Sequence, residues 1–270
     1  LVINLSRFLV FSFYLFFCKL ALPLATSNFM CTVTIVPNGE TDFVLTSNRD
    51  EAPNRACIAP DFYTVGNTKV LFPKDQLSDG TWIGVSEKQR VICVLNGGFK
   101  IHERKSSYRL SRGIITKHLM VAPTIVAAIT TYSFDDIEPF TMVIADWNNG
   151  LKFFELVWDG NQKHLTELPL EPKIWSSSTL YNPSMRTERA NWFEDFKSDN
   201  KLDASALLNF HKTAGKGNLD YGVIMNRYLV RTTSITQIEK KGNCANMHYE
   251  NLLKGQQVSK TLKFPVTVNG

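Results

Sequence analysis

The run Thr32-Val33-Thr34-Ile35-Val36, then Asn38-Gly39, then Phe43-Val44-Leu45-Thr46 limits the fold of this chain more than any other stretch. Successive β-branched residues suit a strand, Asn-Gly is a strong hairpin turn signal, and the second run returns as the partner strand. A turn of about two to four residues at Asn38-Gly39 places Cys31 opposite residues 46–48. The segment Ser47-Asn48-Arg49-Asp50-Glu51 is then delivered beside Cys31, whatever the rest of the chain does.

Further strands are expected at 81–86 and 90–95, joined across Glu87-Lys88-Gln89, and at 140–145 and 151–157 around Asn148-Asn149-Gly150. A neighbouring strand is expected at 164–168, and late strands at 224–230 and 235–240 complete the count. Helices are expected at 111–120, 123–130, 183–197 and 203–212. The third carries Asn182 as cap and Pro183 at its first position, with Met185, Phe193 and Phe196 on one face. The order is strands, helices, strands, helices, strands, which is α+β layering rather than alternating βαβ units. No Gly-, Pro- or Ser-rich linker and no repeat divides the chain, so residues 31–264 read as one domain.

Hydrophobic residues make up 44% of the 270, enough for a sizeable core and too many for a disordered or collagen-like chain. Thirty Lys and Arg against 25 Asp and Glu leave a net charge of +5, with no basic stripe interleaved with aromatics, so no nucleic-acid partner is implied. Five widely spaced cysteines form neither a disulfide framework nor a zinc site. Cys93 alternates with Val91 and Leu95 as a core residue would, and Cys57 and Cys244 read as core or surface thiols. The histidines show no metal spacing, and His211 reads as a helix-face residue. Gly215-Lys216-Gly217 lacks the rest of a phosphate loop and reads as a turn.

Residues 1–29 have the form of a secretory leader. Arg7 precedes an apolar run at 8–18 that is too short to span a bilayer, and Ala25 and Ser27 would suit a cut after Ser27. The first Met is Met30, and the favoured expectation is that translation starts there, which predicts a cytoplasmic protein. A real leader predicts a secreted or periplasmic one. With Met30 as initiator, its removal ahead of the small Cys31 leaves a free N-terminal cysteine. Thiol and α-amine then share one residue, and an amine with an ordinary pKa near ~8 can act as base for its own nucleophile. A guanidinium at Arg49 would favour the thiolate, and a carboxylate at Asp50 would hold the ammonium. The plain alternatives are a half-buried strand cysteine and a surface ion pair.

Met30-Cys31-Thr32 followed by Ser47-Asn48-Arg49-Asp50-Glu51 resembles the NRDE family, whose eukaryotic members are the transport and Golgi organisation proteins. Asp79-Gly80-Thr81-Trp82-Ile83-Gly84-Val85, Asn96 after Val94-Leu95, Ser111-Arg112-Gly113 and Arg231-Thr232-Thr233-Ser234 resemble further family segments, in the family's order. The family is similar in turn to N-terminal-nucleophile amidases of the choloylglycine and penicillin V acylase type. The resemblance therefore implies a four-layer αββα sandwich. It implies Cys31 as nucleophile with its amine as base, Arg49 and Asp50 beside it, Asn96 as oxyanion donor and Arg231 behind the thiol. An Asn just past a strand and before Gly97-Gly98 can also present N–H groups where charge develops, although the residues alone favour a plain turn Asn. One departure stands out. Where the family carries Leu-Ser-Asn-Ser ahead of Pro-Trp, this chain reads Trp175-Ser176-Ser177-Ser178, with Ser177 at the Asn position and no Trp after Pro183.

The implied activity is hydrolysis or acyl transfer on a linear amide through a thioester, with a small-molecule amide or acyl substrate and no cofactor or metal. The resemblance also carries a rival reading, a non-catalytic haem or lipid trafficking protein in which Cys31 would ligate haem iron.

Overall fold

The computed structural model describes residues 30–179 and 181–265, so the leader-like segment 1–29 lies outside the described residues. In chain order the hairpin β1 (Met30–Asn38) and β2 (Asp42–Glu51) is followed by β3 (Cys57–Val65), β4 (Thr68–Asp75), β5 (Ile83–Ser86) and β6 (Arg90–Asn96), then by helices α1 (Arg112–Met120) and α2 (Ile125–Thr131). Strands β7 (Phe140–Asp146), β8 (Lys152–Trp158), β9 (Lys163–Leu168) and β10 (Lys173–Ser176) lead to α3 (Pro183–Asp199) and α4 (Ala204–Thr213). The described chain closes with β11 (Asn226–Arg227), β12 (Val230–Lys241), β13 (Cys244–Asn251) and β14 (Gln256–Lys263).

The strands form two antiparallel seven-stranded sheets. One runs β10-β1-β2-β12-β13-β14 with β11 appended to β12, and the other is a meander from β3 to β9. Period-two alternation decides which side chains meet between them. Val33, Ile35, Phe43 and Leu45 face inward onto Ile83, Val91, Cys93 and Val143, all fully buried. The opposite face of the hairpin, Val36 and Val44, packs under Phe193, Leu207 and Phe210 of α3 and α4. Helix α1 covers β5 and β6 on the far side. The layers are therefore αββα, as expected. Three of the four helices among the described residues open on side-chain caps, Ser111, Asn182 and Asp203, each accepting from the backbone N–H three residues on.

Three expectations need correction. The first hairpin turns through residues 39–41, with Gly39 at φ +72°, and pairs Asn38 with Asp42. Cys31 consequently stands opposite Arg49, one residue beyond the expected 46–48. The stretch 224–230 is not a strand along its length. Within it Asn226, Arg227 and Val230 pair, Val230 as the first residue of β12, while Met225 bonds Thr232 and Asn226 bonds back to Leu219. Finally, the late strands do not end at Lys240: β13 and β14 extend the sheet, polar on their exposed face and therefore weakly patterned. The hairpin β3–β4 and the short β10 were likewise not anticipated.

Two of the sequence segments singled out above meet directly. A Cβ on Gly80 would lie 2.7 Å from the Gly113 carbonyl carbon, and one on Gly113 would lie 2.8 Å from the Thr81 nitrogen. Paired glycines let the start of α1 touch the approach to β5, and Arg112 beside that contact lines one cavity with Cys31 and Asn96.

Candidate active site

Alternation along β2 sorts the tetrapeptide into two pairs. Arg49 and Glu51 face the inter-sheet side with Cys31, and Asn48 and Asp50 face the helices. Cys31 is 5% exposed and lines a cavity of about 270 Å³ together with Arg49, Trp82, Asn96, Arg112 and Glu138. Burial pushes its thiol well above the ordinary value, with Cys93 and Asp50 acting in the same direction. The charge on Arg49 and the backbone N–H of Asp50 oppose the rise. Such a sulfur is a thiol at neutral pH and needs a base in contact with it.

Arg49 is the centre of the inward network. Its Nη2 lies 2.8 Å from Asp75 Oδ2 and 3.3 Å from Glu51 Oε2, and its guanidinium sits 4.6 Å above the Trp82 ring. Arg55 joins the same carboxylates, at 2.7 Å from Asp75 and 3.6 Å from Glu51. Burial pushes the Glu51 carboxyl up to about 7 even though Arg49 and Arg55 pull it down. Across the cavity Arg112 pairs with Glu138 at 3.2 Å, close enough to Cys31 to feel a charge on its sulfur.

The outward pair does different work. Asn48 donates to the carbonyls of His211 and Val223, at 3.0 and 2.6 Å, and accepts from the His211 ring, so it clamps α4 to β2. His211 is fully buried, and burial with the nearby Arg189 charge lowers its pKa to about 3, which keeps the ring neutral. Asp50 accepts from Thr232 Oγ1 at 2.6 Å and from the Tyr181 hydroxyl at 3.4 Å. Burial pushes the Asp50 carboxyl up to about 6, against Thr232 and the charge on Arg189. Asp50 is the register partner of Met30, so an amine released at Cys31 by cutting the 30–31 bond would arise beside this carboxylate.

The remaining expected residues are placed as follows. Asn96 ends β6 and lines the cavity. Ser177 donates its hydroxyl proton to the Asn96 carbonyl at 2.7 Å, and its N–H donates to the Cys31 carbonyl at 3.1 Å. Arg231 stands opposite Glu51 on β12, further along β2 than Arg49, and its Nε is buried without a hydrogen-bond partner. A bulge between Thr232 and Ser234 turns Thr233 onto Arg49, whose carbonyl it bonds at 3.0 Å. Sequence reasoning assigned no role to Trp82, Asp75, Arg55, Arg112 or Glu138. The segments holding Trp82 and Arg112 carried a signal in their resemblance, but Asp75 and Glu138 reach the cavity only through long-range packing.

The family described as Transport and Golgi organisation 2 (TANGO2) matches residues 30–204. No curated protein sequence matches the chain. Among solved structures, an arginine-to-leucine variant of conjugated bile acid hydrolase from Clostridium perfringens superposes with a TM-score of 0.54 at 10% identity, covering 89% of this chain and 99% of that one. The Caenorhabditis elegans ortholog of N-acylethanolamine-hydrolyzing acid amidase superposes with a TM-score of 0.52 at 13% identity, covering 77% and 92%. At these identities the likeness concerns the fold, which is that of the N-terminal-nucleophile hydrolases.

Proposed function

The chain belongs to the Transport and Golgi organisation 2 family, and from that premise we propose that it is an N-terminal cysteine amidohydrolase acting on a linear amide. Cleavage of the 30–31 bond frees the α-amine of Cys31. The sulfur attacks the amide carbonyl carbon while the amine takes the thiol proton, and the carbonyl oxygen becomes an oxyanion facing Asn96. The C–N bond then breaks, the leaving amine takes the proton, and a thioester remains on Cys31. Water attacks the thioester, the acid departs and the thiol is restored. Asp50, held by Thr232 and Tyr181, orients the ammonium, and Arg49 supports negative charge on sulfur. Ser177 is a positioning residue that holds the Asn96 and Cys31 backbones together.

The observation that carries this reading is the placement of Cys31 opposite Arg49 on the wall of a cavity that also contains Asn96. The names of the two structural neighbours, both hydrolases of amide conjugates, support the amide class. The test is N-terminal sequencing of the active protein, followed by acid quench after mixing with an acyl-amide probe and mass spectrometry of the Cys31 peptide. The expected result is a chain that starts at Cys31 and an acyl adduct on that peptide. An adduct that persists in Cys31→Ala, or full activity in a chain retaining Met30, would discard the mechanism.

A further inference from the structure

A second cavity, of about 510 Å³, opens on the helix side of Asp50, between the loop after β6 and the β11–β12 turn. Both of its rims end in apolar side chains that water covers. Phe99 is 51% and Ile101 73% exposed on one rim, while Tyr228 at 97% and Leu229 at 56% form the two-residue tip of the other. Lys100, Arg186 and Arg227 line the cavity beside them. Asp220 is the acid among the lining residues, and its main-chain oxygen accepts from Arg227 at 2.7 Å. The Nε of Arg186 is buried without a hydrogen-bond partner.

These rims are held in place. Gly97 sits at φ +83°, where a Cβ would strike Ser178 and Thr179, and its carbonyl accepts from Thr141 at 2.9 Å. The Gly98 carbonyl accepts from the Ser178 hydroxyl. Aromatic and aliphatic tips around a cluster of cations are the composition of a surface that enters the headgroup layer of an anionic bilayer. A second copy of the chain fits poorly, because a two-fold contact would set the same cations against each other.

We propose that this face docks on an anionic lipid surface, with Phe99, Ile101, Tyr228 and Leu229 in the interfacial layer and the three cations against the headgroups. The inference is independent of the chemistry at Cys31, and its test needs no turnover. Full-length protein is sedimented with vesicles of phosphatidylcholine alone or with added phosphatidylserine, at low and high salt. Binding to the serine-containing vesicles is expected to exceed binding to the neutral ones by about fivefold or more and to fall with salt. The variants Phe99→Ser with Ile101→Ser, and Tyr228→Ser with Leu229→Ser, should each lose most of that binding while melting like the wild type. Segment 1–29 is common to every variant, so its contribution cancels. Equal binding to both vesicle types, or variants that bind like the wild type, would overturn the proposal. So would a dimer that the same variants dissolve, in the absence of vesicle binding.

Discussion

Ser177 gives its hydroxyl proton to the main-chain oxygen of Asn96 at 2.7 Å. At the same time its backbone N–H holds the Cys31 carbonyl, so one residue joins the strand that bears the sulfur to the strand that ends in Asn96. The proton that a direct oxyanion donor would need is already committed. Ser177→Ala should therefore cost about 1 kcal/mol of stability and lower kcat by no more than about tenfold, with the backbone bond to Cys31 intact. A loss of about a hundredfold or more would instead mark a direct oxyanion donor. Steady-state kinetics and a thermal melt distinguish the two.

Arg49 neutralises buried carboxylates while leaning on Trp82, and neither task suits a smaller cation. Arg49→Ala leaves Glu51 and Asp75 with Arg55 as their remaining cation in this network and should destabilise the fold by about 3–5 kcal/mol. Arg49→Lys should recover part of the stability but not the activity, because an ammonium cannot both bridge two carboxylates and stack on the indole. Urea midpoints and amide turnover, measured on both variants, check this.

Asp50 and Glu51 tie stability to pH. Both have folded values, about 6 and about 7, above their unfolded ones, so the folded chain binds more protons than the unfolded chain at mildly acidic pH. Their contribution is complete below pH ~4 and is lost as pH rises through 6 to 7. Asp50→Asn removes one of the two groups. Its melting temperature should fall less than that of the wild type between pH 4.5 and 7.5, and at pH 7.5 it should melt higher. Turnover should be largely lost in the variant, because the Cys31 amine then lacks the carboxylate that orients it. Melting curves and turnover rates provide the comparison.

Gly113→Ala tests the glycine contact under the cavity. The new Cβ meets the Thr81 nitrogen at 2.8 Å, the Thr81 oxygen at 3.0 Å and the Gly80 Cα at 3.1 Å, all backbone that cannot rotate away. The start of α1 must then lift and carry Arg112 from its place opposite the sulfur. A loss of about 1–3 kcal/mol is expected, with a rise in KM of the amide probe. Unchanged melting and kinetics would show that the contact is dispensable.

Features encoded by neighbouring residues were legible. The Asn38-Gly39 turn, the cap at Asn182 and the core position of Cys93 each depend on residues a few places apart. Strand β10 was not legible, because Lys173-Ile174-Trp175-Ser176 is extended only by virtue of pairing with β1. Nor was the limit of pairing at 224–230, where apolar side chains serve Tyr181 and Met225 in a small separate cluster instead of a sheet. In the site, Cys31 and its neighbourhood with Arg49 and Asp50 could be read in advance. The ion network through Asp75 and Arg55 could not.

The amino-acid sequence alone determined that a cysteine and an Asn-Arg-Asp-Glu segment share one hairpin, because a short turn leaves the chain few ways to pair. Only the tertiary structure decided the register, and in a strand one residue of register settles which face each side chain occupies. That step sent Arg49 and Glu51 into the cavity and Asn48 and Asp50 to the helices, and the packing of the two sheets turned the Ser177 proton toward Asn96. Such partners lie up to 182 residues apart, and two packed sheets bring them together where local propensity carries no information.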